Sequence, residues 1–142
     1  KDPFYKIQHY PGMPETLKTL KQNGVKLGVC SNKPHEAAVK VVKRMFGDQV
    51  FDMVMGQSDS IRKKPAPDGP LKIAEAFGVL PEECMYLGDS GTDMQTGKAA
   101  GMYTVGVLWG YREKEELLKN GADALVESPE DILDLYEEKC SK

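Results

Sequence analysis

The regular alternation of short apolar segments with longer amphipathic ones is the feature that most constrains how this chain can fold. Five apolar segments have the length of strands: Val25–Cys30, Phe51–Met55, Met85–Leu87, Met102–Leu108 and Ala124–Val126. Nearly continuous apolar runs are typical of strands buried on both faces of a sheet. Because parallel strands need a long crossover, usually a helix, the alternation predicts an α/β fold with a mainly parallel sheet.

Six further segments have the spacing of apolar and polar residues that is typical of helices: Glu15–Asn23, Pro34–Phe46, Asp68–Phe77, Thr92–Ala100, Glu113–Asn120 and Glu130–Lys139. A glycine follows each of the first four and is expected to end it. Asp68 is expected to cap the third helix. We therefore expect one layered domain over residues 1–142, with its functional side chains beyond the carboxyl ends of the strands.

Composition excludes several other classes of protein. The chain has 142 residues, of which 40% are hydrophobic, and a formal net charge of −3. Neither nucleic acid nor an anionic membrane surface is therefore expected as a partner. No apolar run approaches the ~20 residues that span a bilayer. The three widely spaced cysteines, Cys30, Cys84 and Cys140, form no CxxC pair and indicate a reducing compartment, and hence a cytoplasmic location. Cys30 and Cys84 are expected to have packing roles.

Polar side chains follow the first predicted strand. Ser31 and Asn32 come directly after it, at the start of a helix. A hydroxyl beside the free N–H groups of a helix start can bind an anion. The alternative is that one of the two side chains only caps the helix.

The loop after the second predicted strand carries three adjacent cations, Arg62, Lys63 and Lys64. Pro65 and Pro67 restrict the backbone beside Lys64, so its ammonium can be held at a site with little loss of conformational freedom. The alternative is that all three cations are only solvated surface. On either interpretation Lys64 is expected to be exposed, so its replacement should have little effect on the fold.

Asp89 and Asp93 follow the third predicted strand and are four residues apart. Two such carboxylates repel each other unless a cation lies between them, and oxygen ligands favour Mg²⁺. The alternative is that Asp93 complements the dipole of the next helix while Asp89 lies in a turn. A hydroxyl, a lysine and a carboxylate pair are together the groups that phosphoryl transfer requires.

In these segments the chain resembles the haloacid dehalogenase superfamily of phosphohydrolases, and within it the phosphoglycolate phosphatases. The order of the hydroxyl, the lysine and the aspartate pair carries the resemblance, which covers nearly the whole chain. Supporting segments are Tyr10-Pro11-Gly12, Ala99-Ala100-Gly101-Met102, Trp109-Gly110-Tyr111-Arg112 and Gly121-Ala122-Asp123. The resemblance implies a three-layer Rossmann-like core and Mg²⁺-dependent hydrolysis of a small-molecule phosphate ester.

The resemblance also implies roles for individual residues. Ser31 matches the hydroxyl that hydrogen-bonds the transferring phosphoryl group, with Asn32 beside it. Lys64 matches the lysine that neutralises charge on the phosphate and the nucleophile. Asp89 matches a direct Mg²⁺ ligand, and Asp93 matches the second acid that binds or orients the ligands of the metal.

One motif of the family has no counterpart here. The family's nucleophile and general acid lie in an Asp-x-Asp segment at the end of the first, central strand, and no two aspartates of this chain are separated by a single residue. We therefore expect these residues to be the C-terminal part of a longer enzyme, without that central strand and without the helical cap. The aspartyl-phosphate would then form on a residue outside this chain.

A second hypothesis is a non-catalytic module that binds phosphate or Mg²⁺ and is complete as written. A signalling receiver domain is a poorer match, because its acidic cluster comes early and its lysine late. In this chain Lys64 precedes Asp89.

Overall fold

The structure, a computed structural model, describes residues 12–47, 49–59, 62, 64–108 and 113–140. The strands are β1 (Gly28–Pro34), β2 (Met53–Gln57), β3 (Met85–Gly88), β4 (Tyr103–Val107) and β5 (Ala124–Val126). The helices are α1 (Met13–Gln22), α2 (His35–Phe46), α3 (Asp68–Phe77), α4 (Gly91–Ala100), α5 (Lys114–Lys119) and α6 (Pro129–Cys140), with a 3₁₀ turn at Pro81–Glu83. Each predicted strand and helix is present, and the bounds differ most for β1.

Among the described residues all strand pairs are parallel, and the five strands form two sheets. β1 pairs with β2, while β3, β4 and β5 form a second sheet in that order. The predicted α/β fold with a mainly parallel sheet is confirmed. Within the described ranges no ladder joins β1 to β3, so one edge of each strand is unpaired.

β1 begins three residues later than the apolar pattern predicts because an aspartate side chain replaces the ladder before it. The backbone N–H of Leu27 donates to Asp52 Oδ2 at 2.7 Å. The backbone N–H of Asp52 in turn donates to the carbonyl of Leu27, also at 2.7 Å. Regular pairing with β2 starts one residue further on, where Gly28 lies opposite Met53.

β1 also runs past the predicted end, with an irregularity that matters for the site. Cys30 pairs with Met55 and Pro34 pairs with Gln57, so the three residues between Cys30 and Pro34 lie opposite the single residue Gly56. Such a bulge takes residues out of the ladder and redirects their side chains. Regular pairing therefore stops at Cys30, where the sequence pattern predicts the strand to end.

Helix ends agree with the sequence more closely than helix starts. Gly78 and Gly101 end α3 and α4 in the left-handed conformation, with φ of 72° and 78°. The predicted cap of α3 is wrong, since Pro67 occupies the cap position and no side chain caps this helix. The carboxylate of Asp68 instead accepts hydrogen bonds from Arg62, which leaves it committed to the preceding loop.

Helices on both faces hold the two sheets together. The largest cluster of buried apolar side chains joins α1 and α6 to the strands: Met13, Leu20, Leu27, Val105, Val107, Val126 and Ile132. It contains Leu27, next to β1, together with Val105 of β4. On α3, Ala74 packs with Ala100, and Ile73 lies so near Gly28 that a Cβ there would be 2.9 Å from its Cγ2.

No helix in the described part of the chain is both long enough and apolar enough to cross a membrane.

Candidate active site

A largely buried ion pair links the loop after β2 to the first turn of α4. Lys64 Nζ lies 3.0 Å from Asp93 Oδ1, and only 16% and 15% of the two side chains are exposed. The two residues are 29 positions apart in the chain. The structure therefore brings together two predicted site residues, and the expectation that Lys64 is exposed is wrong.

The environment of Lys64 keeps it charged. Burial lowers the pKa of Lys64, but the acidic groups around it, Tyr86, Asp93 and Cys30, outweigh burial and raise the pKa above its ordinary value. Burial holds the pKa of both Tyr86 and Cys30 above their ordinary values. At neutral pH Lys64 is therefore positively charged, with its ammonium in contact with Asp93.

Tyr86 and Cys30 are neighbours of this pair that the sequence analysis did not assign to the site. Lys64 Nζ lies 5.9 Å from the centroid of the Tyr86 ring. Both residues occupy strand positions, Tyr86 on β3 and Cys30 on β1. Each lies three residues or fewer before a predicted site residue at its strand end, which is the signal that could have indicated them.

The second oxygen of Asp93 organises the turn that carries both aspartates. Asp93 Oδ2 accepts hydrogen bonds from the backbone N–H of Asp89 and from the Ser90 hydroxyl, both at 3.2 Å. The Ser90 hydroxyl oxygen in turn accepts from the backbone N–H of Asp93 and so caps α4. A Cβ on Gly88 would overlap the Asp93 side chain, so this residue must be glycine.

The two aspartates could supply part of the ligand set of a Mg²⁺ ion, with the remaining ligands coming from water and substrate. Among the described residues there is no group of three or more His, Cys, Asp or Glu side chains that could hold a metal ion. Mg²⁺ binds through one or two carboxylates, keeps several waters and takes further ligands from a phosphate. Asp89 and Asp93, with the constrained turn between them, fit that donor set. Asp93 also makes the helix-start contacts that the structural alternative predicts.

Ser31 and Asn32 lie in the bulge of β1. Ser31 is buried, and its hydroxyl oxygen accepts a hydrogen bond from the backbone N–H of Lys33 at 3.1 Å. Asn32 Oδ1 accepts from the backbone N–H of Lys64 at 3.0 Å. Neither residue caps α2, which starts after Pro34 without a side-chain cap. The capping alternative is therefore wrong, and Asn32 connects the end of β1 to Lys64.

The loop that carries Lys64 is anchored at a second point. The guanidinium of Arg62 binds both carboxylate oxygens of Asp68, with the shortest contact at 2.8 Å. The Arg62 side chain is 75% exposed. The pKa of Asp68 lies below its ordinary value because of hydrogen bonds from Arg62.

Several sequence-based assignments lie outside the described residues. They are Tyr10 and Pro11, Lys63, and the segment Trp109-Gly110-Tyr111-Arg112.

The parallel strands, with a hydroxyl, a lysine and two aspartates beyond their carboxyl ends, define an α/β protein whose candidate site lies at that edge of the sheets. Comparison with known proteins identifies the class. Residues 4–101 match the family model of the haloacid dehalogenase-like hydrolases, and the chain belongs to this family.

Individual relatives agree with this assignment. Phosphoglycolate phosphatase from Escherichia coli K12 is 34% identical over 124 residues, which are 87% of this chain and 49% of that protein. A crystal structure of a candidate phosphoglycolate phosphatase from Lactobacillus delbrueckii subsp. bulgaricus is 39% identical, with a TM-score of 0.84 over 89% of this chain and 52% of the other. β-Phosphoglucomutase from Clostridium difficile is 25% identical, with a TM-score of 0.74 over 94% of this chain and 58% of the other.

The chain thus spans about half the length of the curated relatives it matches. The same fold also occurs in solved structures named for two different activities, a candidate phosphoglycolate phosphatase and a β-phosphoglucomutase.

Proposed function

We propose that this chain supplies the phosphate- and magnesium-binding side of a phosphomonoesterase active site. The observation that carries the proposal is the largely buried pair of Lys64 and Asp93, whose charged groups are 3.0 Å apart. A lysine whose pKa is raised is charged throughout the physiological range, as a group that neutralises phosphate oxygens must be. A buried ion pair adds little to stability. We therefore interpret the placement of this lysine beside the two aspartates as a requirement of phosphoryl transfer.

Each predicted residue has a role in this proposal. The Ser31 hydroxyl donates to an oxygen of the phosphoryl group, and Asn32 holds the backbone at Lys64 through the 3.0 Å contact of its Oδ1. Lys64 neutralises charge on the phosphoryl oxygens, for which it must exchange part of its contact with Asp93. Asp89 and Asp93 would hold Mg²⁺, which when bound supplies positive charge to the phosphate and orients it.

The nucleophile is proposed to be an aspartate on a further strand beside β1 and β3. The sequence has no Asp-x-Asp segment, and β1 and β3 each have an unpaired edge in the described part of the chain. Leu87 of β3 is 38% exposed, whereas Val105, its partner on β4, is fully buried. A strand inserted at this edge would cover Leu87 and bring its end beside the bulge of β1 and the turn of α4.

The proposed substrate is a small phosphomonoester resembling phosphoglycolate. Two observations support it: the names of the relatives at 34% and 39% identity, and the Gly88-Asp89 pair where we expect a mutase to have Glu-Asp. A cytoplasmic location is part of the same proposal, since Cys30 and Cys84 are free thiols in the structure.

The test is Mg²⁺-dependent phosphate release from phosphoglycolate, an aryl phosphate and glucose 1-phosphate. We would assay the 142-residue chain, the same chain extended at its N-terminus by a segment with Asp-x-Asp, and the extended chain with Lys64→Met. We expect turnover only by the extended chain with Lys64 intact. Turnover by the 142-residue chain would place the nucleophile within it, and phosphate binding without turnover by either would favour the non-catalytic module.

A further inference from the structure

A carboxylate from outside the predicted site reaches the turn that carries the two aspartates. Glu116 on α5 accepts, through its Oε2, a hydrogen bond from the backbone N–H of Gly91 at 2.8 Å. Gly91 is the first residue of α4 and lies midway between Asp89 and Asp93. The first N–H groups of a helix have no partner within the helix and carry partial positive charge, so a carboxylate is a favourable acceptor there.

A second contact fixes α5 against α4 one turn further on. Gln95 Nε2 donates to Asn120 Oδ1 at 2.6 Å, and Asn120 Nδ2 donates to the carbonyl of Glu116 at 2.8 Å. The two helices approach so closely at the turn that a Cβ on Gly91 would lie 2.6 Å from Asn120 Nδ2. These contacts fix the backbone at Glu116 relative to α4, and the Glu116 carboxylate binds the first N–H of that helix.

The remaining contacts of this turn show what Glu116 adds. The side chains of Ser90 and Asp93 hydrogen-bond to backbone N–H groups at either end of the turn, so those contacts lie within the turn and can move with it. The contact of Glu116 comes from another helix and is 25 positions away in the chain. It fixes the turn against α5, just as the Lys64–Asp93 pair fixes it against the loop after β2.

We propose that Glu116 is a positioning residue for the Mg²⁺ site, which sets the place of the Asp89–Asp93 turn through the N–H of Gly91. The inference rests on the metal-binding role proposed for those two aspartates. Partners that orient metal ligands typically change metal affinity by about 10- to 100-fold when removed. We expect the lower part of that range, since Glu116 acts through the backbone rather than on a ligand side chain.

Three replacements of Glu116 separate the effect of side-chain length from the effect of its charge. Glu116→Gln keeps an oxygen at the same reach but removes the charge, Glu116→Asp keeps the charge but shortens the reach, and Glu116→Ala removes both. Glu115→Ala is the matched control, because Glu115 is the exposed neighbour on the same helix. All are made in the protein as its gene encodes it.

The primary readout is Mg²⁺ affinity by titration calorimetry with MgCl₂, which requires no turnover. We expect about 10-fold weaker binding for Glu116→Ala and Glu116→Asp, a change below about threefold for Glu116→Gln, and none for Glu115→Ala. The Gly91 amide resonance should move in the Ala and Asp variants and less in the Gln variant.

The outcomes that would overturn the inference are distinct from those that overturn the proposed function. If the Gly91 resonance moves while Mg²⁺ affinity is unchanged, Glu116 is merely structural. If Glu116→Gln weakens binding more than Glu116→Asp, charge rather than position matters, and the inference is again wrong. If the wild-type protein binds no Mg²⁺, the metal site itself is wrong and both fail. Glu116→Gln and Glu116→Asp keep the comparison available if the alanine variant does not fold.

Discussion

Two ion pairs from one loop differ in almost every physical respect. Arg62 pairs with Asp68 at 2.8 Å, and Lys64 pairs with Asp93 at 3.0 Å. The first pair joins residues six positions apart, and its guanidinium is largely exposed. The second spans 29 positions, and both of its side chains are largely buried.

The difference shows why distance alone does not identify a functional pair. An exposed pair gains little, because water and salt screen the attraction and two long side chains lose freedom. Burying an ion pair costs a large desolvation free energy, and the attraction offsets this cost only where the surrounding structure holds both groups in good geometry. The Lys64–Asp93 pair is expensive to bury and lies at the ends of the strands, which is why we assign it to function and the Arg62–Asp68 pair to anchoring of the loop.

The largest expected difference between the pairs is in activity. Lys64→Met keeps most of the aliphatic stem but removes the charge, so we expect phosphate release by the protein as its gene encodes it to fall about 10²- to 10³-fold. Arg62→Met, the matched change two residues away, should leave the rate within about twofold. Steady-state kinetics at saturating Mg²⁺ would measure both. Equal losses in the two variants would remove the distinction on which the assignment depends.

The aspartates should differ next most. Asp89→Asn removes a proposed ligand, so the Mg²⁺ concentration needed for half-maximal activity should rise by about 10-fold or more, as loss of a carboxylate ligand implies. Asp68→Asn should leave the Mg²⁺ titration unchanged, because Asp68 is bound to Arg62. An unaltered titration for Asp89→Asn would show that it is not a ligand.

A double-mutant cycle would compare the two pairs by stability. Lys64→Met and Asp93→Asn should show a coupling of about 2 kcal/mol in the free energy of unfolding, since removing either partner leaves the other largely buried and uncompensated. The cycle of Arg62→Met and Asp68→Asn should show no measurable coupling. Urea unfolding of the four variants and both double variants would supply the values. If the first cycle showed no coupling, water would be solvating the charge that is left when its partner is removed, and the expected penalty would be absent.

The smallest expected difference appears at alkaline pH. The folded-state pKa of Lys64 is raised, so its contribution to stability is complete below its ordinary pKa of 10.5 and is lost as the pH rises above it. The difference in unfolding free energy between the wild type and Lys64→Met should therefore be constant from pH 7 to about 10 and then shrink. The difference for Arg62→Met should stay flat to pH 11.5. Urea unfolding at several pH values over this range would measure both differences. If the two differences declined in parallel, the assignment of Lys64 to the site would be contradicted.

The sequence pattern predicted the strands and helices closely, and the reason is local. A buried parallel strand must be continuously apolar, and a glycine in the left-handed conformation ends a helix with little strain. Gly78 and Gly101 do so here. The bounds of α3 were predicted correctly, but its cap was not. The Asp68 carboxylate could accept hydrogen bonds from the first turn of the helix or from Arg62, and its choice of Arg62 depends on the path of the preceding loop.

The sequence analysis named five candidate site residues, whose roles stay predictions, but it did not predict the contacts among them or the neighbours Tyr86 and Cys30. Ser31, Asn32, Lys64, Asp89 and Asp93 carry chemistry that their residue types and places after strands indicate. The contact of Asn32 with the backbone of Lys64 and the burial of the Lys64 side chain were not predicted. Both depend on how two distant segments pack, which no local pattern encodes.

The sequence by itself determined the α/β class, the order of strands and helices, and the set of polar residues at the strand ends. These follow from hydrophobic periodicity and from the conformational limits of glycine and proline, which act over a few neighbouring residues. The tertiary structure alone decided that Lys64 packs against Asp93 with most of its side chain covered, and that Glu116 reaches the N–H of Gly91. Those outcomes depend on burial and on contacts between segments far apart in the chain, where desolvation and close packing select one arrangement among the many that the local pattern allows.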